Sequence, residues 1–157
     1  MHIHYVCTGN SCRSVMAEYL TRHLLRQAGM ETVTVDSSGV FALDGMRASN
    51  ETQALLKVLG VDASGHRARV FQMEMSDRAE LVFVMEQFQG EEVVRRAPTA
   101  ASKVHLLKNY NLGPGDRVVD PNIADPVGKP AEVYEACFAE IRQAVERVMR
   151  SIGVKSG

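Results

Sequence analysis

One stretch near the start of the chain, residues 3–29, reads IHYVCTGNSCRSVMAEYLTRHLLRQAG. Four of its first five residues are apolar, and the run predicts a strand over residues 3–7. Small polar residues follow, and then apolar residues at helical spacing over residues 14–28, with Gly29 as a C-cap signal. A strand, a polar loop and a helix in direct succession are typical of parallel α/β sheets, where ligands bind between the strand end and the helix N-terminus.

The same alternation continues along the rest of the chain. Further strands are predicted at residues 32–35, 81–85 and 104–107, and further helices at 48–59 and 131–150. Charged residues within 91–96 are typical of a solvated helical face. We therefore predict a three-layer α/β/α fold, a four-stranded parallel sheet flanked by helices, formed by residues 1–157 as a single domain.

Composition limits the function classes. The 157 residues are 45% apolar and 24% charged, which suits one globular domain with a real core. A net charge of -1 argues against broad electrostatic capture of nucleic acid. No apolar run is long enough to span a bilayer, and the first residues lack the features of a signal peptide. Three cysteines do not suggest a disulfide framework, so we expect a cytoplasmic protein.

The loop after the first strand carries the candidate chemistry. It runs Cys7-Thr8-Gly9-Asn10-Ser11-Cys12-Arg13-Ser14. Its small residues, with Gly9 able to take a positive φ, let backbone N–H groups form an anion nest at the helix N-terminus. Arg13 is placed to bind an oxyanion bidentately, and all of these groups favour the thiolate form of Cys7. In isolation Cys7 would be read as a buried strand end and Arg13 as an exposed helix residue; in this context we predict a phosphoryl-accepting nucleophile.

At this point the sequence resembles a known family. The run V-C-T-G-N-S-C-R-S followed by M-A-E is similar to the active-site signature of the low-molecular-weight protein tyrosine phosphatases, and V-D-S-S-G at 35–39 and H-R-A-R at 66–69 also match. The resemblance covers nearly the whole chain. It implies a phosphocysteine intermediate and neither metal nor cofactor. It also implies that Thr8, Gly9, Asn10, Ser11, Cys12 and Ser14 bind phosphate, and that Ser37 and His66 support the loop. One departure is Val15, where the family usually has proline.

The family draws its general acid from an Asp-Pro loop before the last helix. A phosphoester needs such a proton donor because an alkoxide or phenoxide is a poor leaving group. This chain has two Asp-Pro pairs, at Asp120 and Asp125. The bacterial members resembled here run Asp-Pro-x-Gly before a tyrosine-bearing helix, as Asp125-Pro126-Val127-Gly128 does upstream of Tyr134. We therefore predict Asp125 as the acid and keep Asp120 as the alternative.

The family's usual substrate is phosphotyrosine, and hydrolysis of phosphotyrosine is the function we predict. Tyrosine-specific members typically carry aromatic residues after the Asp-Pro, whereas this chain has Val127. Ser11 is a second departure, because its hydroxyl resembles the bacterial protein-arginine phosphatases, whose loop reads C-T-G-N-T-C-R-S. A protein-arginine phosphatase on the same scaffold is therefore the alternative.

Two further function classes are weaker. Thiol-dependent arsenate reduction needs additional cysteines near the second half of the sheet, and residues 13–136 contain none. A non-enzymatic phosphate-binding or phosphocarrier module would not need Arg13 or a loop acid. The expected partner is a phosphorylated protein or peptide; neither nucleic acid nor a membrane is expected, and the protein is predicted to be a monomer.

The remaining cysteines and histidines receive minor roles. Cys12 is either a small loop filler or a redox partner that forms a reversible disulfide with Cys7. Cys137 lies on the apolar stripe of the last helix and is predicted to pack in the core. His2, His4, His23 and His105 show no spacing typical of a metal site and are predicted to be structural or surface residues. Met73 and Met75 are predicted to pack under a loop.

Overall fold

The computed structural model describes residues 1–155. The elements follow in the order β1 (His2–Cys7), α1 (Arg13–Gln27), β2 (Thr34–Gly39), α2 (Asn50–Val58), α3 (Met73–Asp77), β3 (Leu81–Val84), α4 (Gln87–Arg96), a 3-10 helix (Pro98–Lys103), β4 (Val104–Leu106), a second 3-10 helix (Leu107–Asn109) and α5 (Ala131–Ser151).

The four strands form one sheet in the order β2-β1-β3-β4, and every neighbouring pair is parallel. In the register of β1 and β2, His4 pairs with Asp36, Tyr5 with Ser37, and Cys7 with Gly39. The predicted four-stranded parallel sheet is confirmed.

Helices cover both faces of the sheet, as a parallel sheet requires. On one face, Tyr5 and Phe83 pack with Leu20 of α1 and Ile141 of α5 in the larger apolar cluster. On the other face, a smaller cluster includes Val82 and Val84 of β3 and Val93 of α4. Because alternate residues of β1 and β3 supply the two clusters, the continuous apolar runs in the sequence are those of strands buried on both sides.

The second strand lies later in the chain than predicted. It spans Thr34–Gly39 and not residues 32–35, because the polar pair Ser37 and Ser38 continues the strand. Both serines are buried and hydrogen-bonded, Ser38 to His4 and Ser37 to Asn10 and Glu18. A polar side chain can occupy a buried strand position when it has such partners.

Four helical segments were not predicted from the sequence or were predicted only in part. The charged face predicted within 91–96 is the second half of α4, which buries only Gln89 and Val93 and so has little apolar periodicity. α3 and the two 3-10 helices are too short to show a period. Met75 is buried in α3 as predicted, but Met73 is 44% exposed, so the packing role predicted for it is wrong.

This architecture places the carboxyl ends of β1 and β3 side by side, and the loop before α5 lies next to them, since the Ile123 N–H donates to the Met85 carbonyl. Ligand sites of open parallel sheets lie at this edge. Among residues 1–155, none of the helices combines the length and apolarity needed to cross a membrane.

Candidate active site

The loop of residues 7–14 joins β1 to α1 in a tight turn. Its left-handed residue is Asn10, with φ 53°, and not Gly9, the residue noted in the sequence as able to take a positive φ. Asparagine tolerates this conformation better than most residues because its short side chain bonds locally. The first turn of α1 begins at the end of the loop, and its N–H groups lack intrahelical partners, so they can bind an anion.

Cys7 lies at the floor of this loop with 2% of its surface exposed. Its Sγ is 3.0 Å from Oγ of Ser14 and accepts the Asn10 N–H at 3.3 Å. Nδ2 of Asn10 donates to the Ser14 oxygen at 2.8 Å, which leaves the Ser14 hydroxyl proton free to point at the sulfur. The sulfur thus has two hydrogen-bond donors aimed at it, which is the arrangement that a cysteine nucleophile needs.

Asn10 is completely buried and connects the loop to β2 and to the segment of residues 66–69. Its Nδ2 also donates to Oγ of Ser37 at 2.9 Å, and its Oδ1 accepts the Arg69 N–H at 3.0 Å. Its carbonyl oxygen accepts a hydrogen bond from Nε2 of His66 at 2.9 Å. These bonds fix the unusual backbone of Asn10 and, through Ser14, the donor that faces Cys7.

Behind Asn10, the Ser37 hydroxyl donates to Oε2 of Glu18 at 3.1 Å. Nδ1 of His66 lies 3.7 Å from the same carboxylate oxygen. Burial raises the pKa of Glu18 to about 7, although Arg22 at 2.8 Å opposes that shift. Burial also lowers the pKa of His66, which fits a neutral ring that donates from Nε2. Ser37 and His66 therefore lie where support of the loop was predicted, and Glu18 joins them as a residue that the motif did not indicate.

Arg13 is 1% exposed, and its guanidinium is held from several directions. Nη1 donates to the Ile123 carbonyl at 2.7 Å and lies 3.0 Å from Oε2 of Glu86. Nη2 lies 3.6 Å from Oδ2 of Asp125. Burial acts to lower the pKa of Arg13, but Cys7, Glu86 and Asp125 together raise it. A charged guanidinium fixed in this way is ready to bind a tetrahedral oxyanion.

Glu86 and Gln89 belong to the site but were not found by sequence reasoning. Glu86 precedes α4 and pairs with Arg13, whereas Gln89 donates from Nε2 to Oγ1 of Thr8 at 3.1 Å. Gln89 is fully buried, and its Oε1 accepts the Met85 and Glu86 N–H groups. The signal that could have found them is position, because the carboxyl ends of β1 and β3 are adjacent in such a sheet.

The two aspartates of the loop before α5 lie in different surroundings. Asp125 faces Arg13, and its Oδ1 accepts the Val127 N–H at 3.1 Å, which orients the carboxyl group. Asp120 is exposed like Asp125, and its Oδ1 accepts the Asn122 N–H at 2.9 Å in the same kind of Asx turn, but among residues 1–155 it forms no ion pair with Arg13. The structure thus brings Asp125, and not Asp120, to the loop that holds Cys7.

The other predicted loop residues line the same turn. Thr8 lies 3.5 Å from Nη2 of Arg13, and Ser11 is partly exposed at the loop surface. Cys12 is buried, with Sγ 3.4 Å from Oγ of Ser49 and 3.6 Å from the Tyr134 hydroxyl. Its pairing with Cys7 stays a prediction. Cys137 is buried in the larger apolar cluster, where core packing was predicted.

Gly39, the last residue of β2, lies against the 7–14 loop. A Cβ at this position would lie 2.5 Å from the Thr8 carbonyl oxygen and 2.8 Å from the Asn10 nitrogen. Both are backbone atoms, so Gly39→Ala must displace the loop. We expect kcat/KM to fall by about 10- to 100-fold, because small displacements of catalytic groups are costly. We also expect stability to fall by about 1–3 kcal/mol. Steady-state kinetics and thermal unfolding measure both effects.

Gly115→Ala is the matched control for this substitution. An added Cβ at Gly115 meets no atom within 4 Å, and the residue is not in the left-handed region. It should therefore leave kcat/KM and the melting temperature near the wild-type values. Equal losses in the two variants would contradict the contact between Gly39 and the loop.

Taken together, the site offers a buried thiol with two hydrogen-bond donors, a fixed guanidinium, a helix N-terminus and a carboxyl group. If a tetrahedral dianion bound to these groups, its charge would be neutralised and its central atom would lie in front of Cys7. Within residues 1–155, the single grouping of three side chains able to bind a metal is His2, His4 and Asp36, and none of these belongs to the loop. The arrangement suits thiol-dependent phosphoryl transfer assisted by a proton donor.

Comparisons of the sequence and of the structure with known proteins agree with one another. The sequence profile described as low molecular weight phosphotyrosine protein phosphatase matches residues 2–156. A protein-arginine-phosphatase from Geobacillus stearothermophilus is 37% identical over 148 residues, which make up 94% of this chain and 93% of that protein.

Two solved structures are also similar over nearly their full length. The low molecular weight protein tyrosine phosphatase from T. tengcongensis has a TM-score of 0.87 at 32% identity, covering 96% of this chain and 99% of that one. A cysteine-to-serine mutant of YwlE arginine phosphatase, with a phosphorylated active-site serine, has a TM-score of 0.86 at 26% identity, covering 97% of this chain and 95% of that one.

Proposed function

Because this chain belongs to the low molecular weight phosphotyrosine protein phosphatase family, we propose that it is a phosphatase that hydrolyses phosphorylated proteins through a phosphocysteine formed on Cys7. The observation that carries the proposal is the buried Cys7 sulfur, which faces Ser14 at 3.0 Å and the Asn10 N–H at 3.3 Å. A buried structural cysteine does not need two such donors, whereas a thiolate nucleophile does.

In the first step the Cys7 thiolate attacks phosphorus in line with the ester oxygen. A bond forms between sulfur and phosphorus, the bond between phosphorus and the leaving oxygen breaks, and Asp125 donates its proton to that oxygen. Arg13 and the loop N–H groups hold the three equatorial oxygens and stabilise their charge. The short distance between Arg13 and Asp125, 3.6 Å, supports this division of roles.

In the second step water attacks the phosphocysteine. Asp125, now ionised, takes a proton from the water, the bond between sulfur and phosphorus breaks, and phosphate and the Cys7 thiolate are released. The YwlE mutant with a phosphorylated active-site serine supports a covalent phosphoryl group on the corresponding residue of a similar protein.

For the substrate, we propose phosphotyrosine. Phe41 follows β2, and its N–H donates to the Thr8 carbonyl at 2.9 Å, which fixes it beside the 7–14 loop. Its ring is 61% exposed, and Val127 on the Asp-Pro loop is 56% exposed. These side chains give a phenyl ring apolar surface at the mouth of the site.

Phosphoarginine is the second candidate, and Ser11 favours it. The hydroxyl of Ser11 is partly exposed within the loop, where it could bind a guanidinium or the attacking water. The similar proteins from Geobacillus stearothermophilus and Bacillus subtilis are both protein-arginine-phosphatases, at 37% and 29% identity.

A pair of phosphopeptides tests the choice between these substrates. If the phosphotyrosine proposal holds, kcat/KM for a phosphotyrosine peptide exceeds that for a matched phosphoarginine peptide by about 10-fold or more. Ser11→Ala should then leave phosphotyrosine turnover nearly unchanged. A preference for phosphoarginine that Ser11→Ala abolishes would establish the second candidate and overturn the first.

Three earlier expectations remain predictions. They are the cytoplasmic location, the monomeric state and the reversible disulfide between Cys7 and Cys12. Of these, the disulfide is the most direct to measure, by asking whether a dithiol fully restores activity after peroxide treatment.

A further inference from the structure

Two histidines of β1 and one aspartate of β2 meet away from the catalytic loop. His2 and His4 are two residues apart, so they project from the same face of the sheet. In the register of the two strands, His2 is opposite Thr34 and His4 is opposite Asp36. His4 is fully buried, whereas His2 and Asp36 keep part of their surface exposed. The sheet thus brings to these histidines a carboxylate that their spacing in the sequence did not indicate.

We propose that His2, His4 and Asp36 form a binding site for a first-row divalent transition metal ion such as Zn²⁺. Nε2 of His2 lies 2.7 Å and Nδ1 of His4 2.5 Å from the same carboxylate oxygen, Oδ1 of Asp36. Two imidazoles and one carboxylate are a donor set that Zn²⁺ uses in proteins. To bind an ion with bonds of about 2.0–2.2 Å, the three donor atoms must move apart by less than about 1 Å from their present positions. Small side-chain rotations allow this movement.

The outer ring nitrogens have the partners that metal-binding histidines usually have. Nδ1 of His2 is 2.7 Å from Oγ1 of Thr34, and Nε2 of His4 is 2.7 Å from Oγ of Ser38. Each hydroxyl can donate to a bare nitrogen or accept from a protonated one. Both rings can therefore move their proton to the outer nitrogen and free the inner one for a metal without a ring flip.

His2 and His4 contact one oxygen of the Asp36 carboxylate, Oδ1. Arg69, at 3.0 Å, and Arg78, at 3.9 Å, face the other oxygen, Oδ2, and leave Oδ1 for the ion.

Such an ion would join β1 to β2 at the end of the strands opposite Cys7. An ion that binds only the folded chain stabilises it in proportion to its affinity and concentration. The proposed role is therefore structural and does not rest on the phosphatase activity.

The test is Zn²⁺ titration by calorimetry of the untagged chain, in phosphate-free buffer and in a Cys7→Ser background that removes the reactive thiolate as a competitor. We expect one Zn²⁺ per chain and a rise in melting temperature on binding. His2→Ala, which removes a partly exposed ligand, should weaken binding by at least about 10-fold, and Asp36→Asn should do the same. His23→Ala, a matched loss of one histidine on α1, should leave binding unchanged.

Two results would overturn the proposal. One is the absence of binding at about 0.1 mM Zn²⁺. The other is a Zn²⁺ affinity in His2→Ala equal to that of the background protein, which would place the ion elsewhere. Either result leaves the proposed phosphatase function untouched, because that function is measured separately with phosphopeptides.

Discussion

Replacing Cys7 with serine should reduce kcat by at least about 10⁴-fold, which is the scale of losing a covalent nucleophile. Serine is nearly the same size and keeps the neighbouring donors Ser14 and Asn10, but its hydroxyl does not ionise near neutral pH. Phosphate binding should therefore survive while phosphoryl transfer stops. Steady-state turnover of a phosphotyrosine peptide, together with phosphate affinity by calorimetry, measures the two effects.

Cys137→Ala is the control for this substitution. Cys137 is also a buried cysteine, and burial raises the pKa of its thiol to about 12, so it is inert. Its replacement should leave kcat within a few-fold of wild type. Substantial turnover by Cys7→Ser would show that phosphate does not pass through the thiol. A simultaneous loss of phosphate binding would show that the substitution had disrupted the loop.

The parts of the fold that sequence predicts well are those whose apolar residues repeat with a clear period. β1 and α1 lie within one residue of their predicted bounds, and α5 within one residue of its predicted end. β2 was placed too early because the prediction followed the β-branched residues of 32–35, whereas in the structure the polar Ser37 and Ser38 are also buried strand residues with hydrogen-bond partners. α4 was placed only in part because its buried face is a single valine and a glutamine.

The site shows the same division between local and long-range information. Cys7, Arg13 and the residues between them are contiguous, so a motif can indicate them. Glu86 and Gln89 reach the loop only because β3 lies beside β1, which no short motif records. Residue type pointed to Gly9 as able to take a positive φ, whereas the structure places the positive φ at Asn10, whose buried bonds stabilise it.

The pairing of His2 and His4 with Asp36 is a further case. The spacing of two residues in a predicted strand places both histidines on one face, but the aspartate lies on the neighbouring strand. Only the register of the sheet brings the three together. Because β2 was predicted to end before Asp36, the sequence could not indicate this cluster.

Asp125→Asn should lower kcat/KM for a phosphotyrosine peptide by about 100-fold or more, the usual contribution of a general acid. The amide keeps the size of the side chain and an oxygen for the Val127 N–H, but it has no proton to give to the leaving oxygen. The loss should be several-fold smaller for 4-nitrophenyl phosphate, because nitrophenolate leaves without protonation. Since kcat/KM reports only steps through the first phosphoryl transfer, slow hydrolysis of the phosphocysteine does not distort the comparison.

Asp120→Asn is the matched control, because it makes the same chemical change in the other Asp-Pro pair. Its carboxyl group accepts only a local bond from Asn122 and has no contact with Arg13 among the ion pairs of residues 1–155. Because Asp120 is exposed, kcat/KM for the phosphotyrosine peptide and for 4-nitrophenyl phosphate should both stay within about twofold of wild type. If the dependence on the leaving group instead followed Asp120, that residue would be the acid. If it followed neither, protonation by the loop before α5 would be wrong. We expect the dependence on the leaving group to follow Asp125. The guanidinium of Arg13 binds the phosphoryl oxygens and lies 3.6 Å from the Asp125 carboxyl group, so it places that acid beside the ester oxygen.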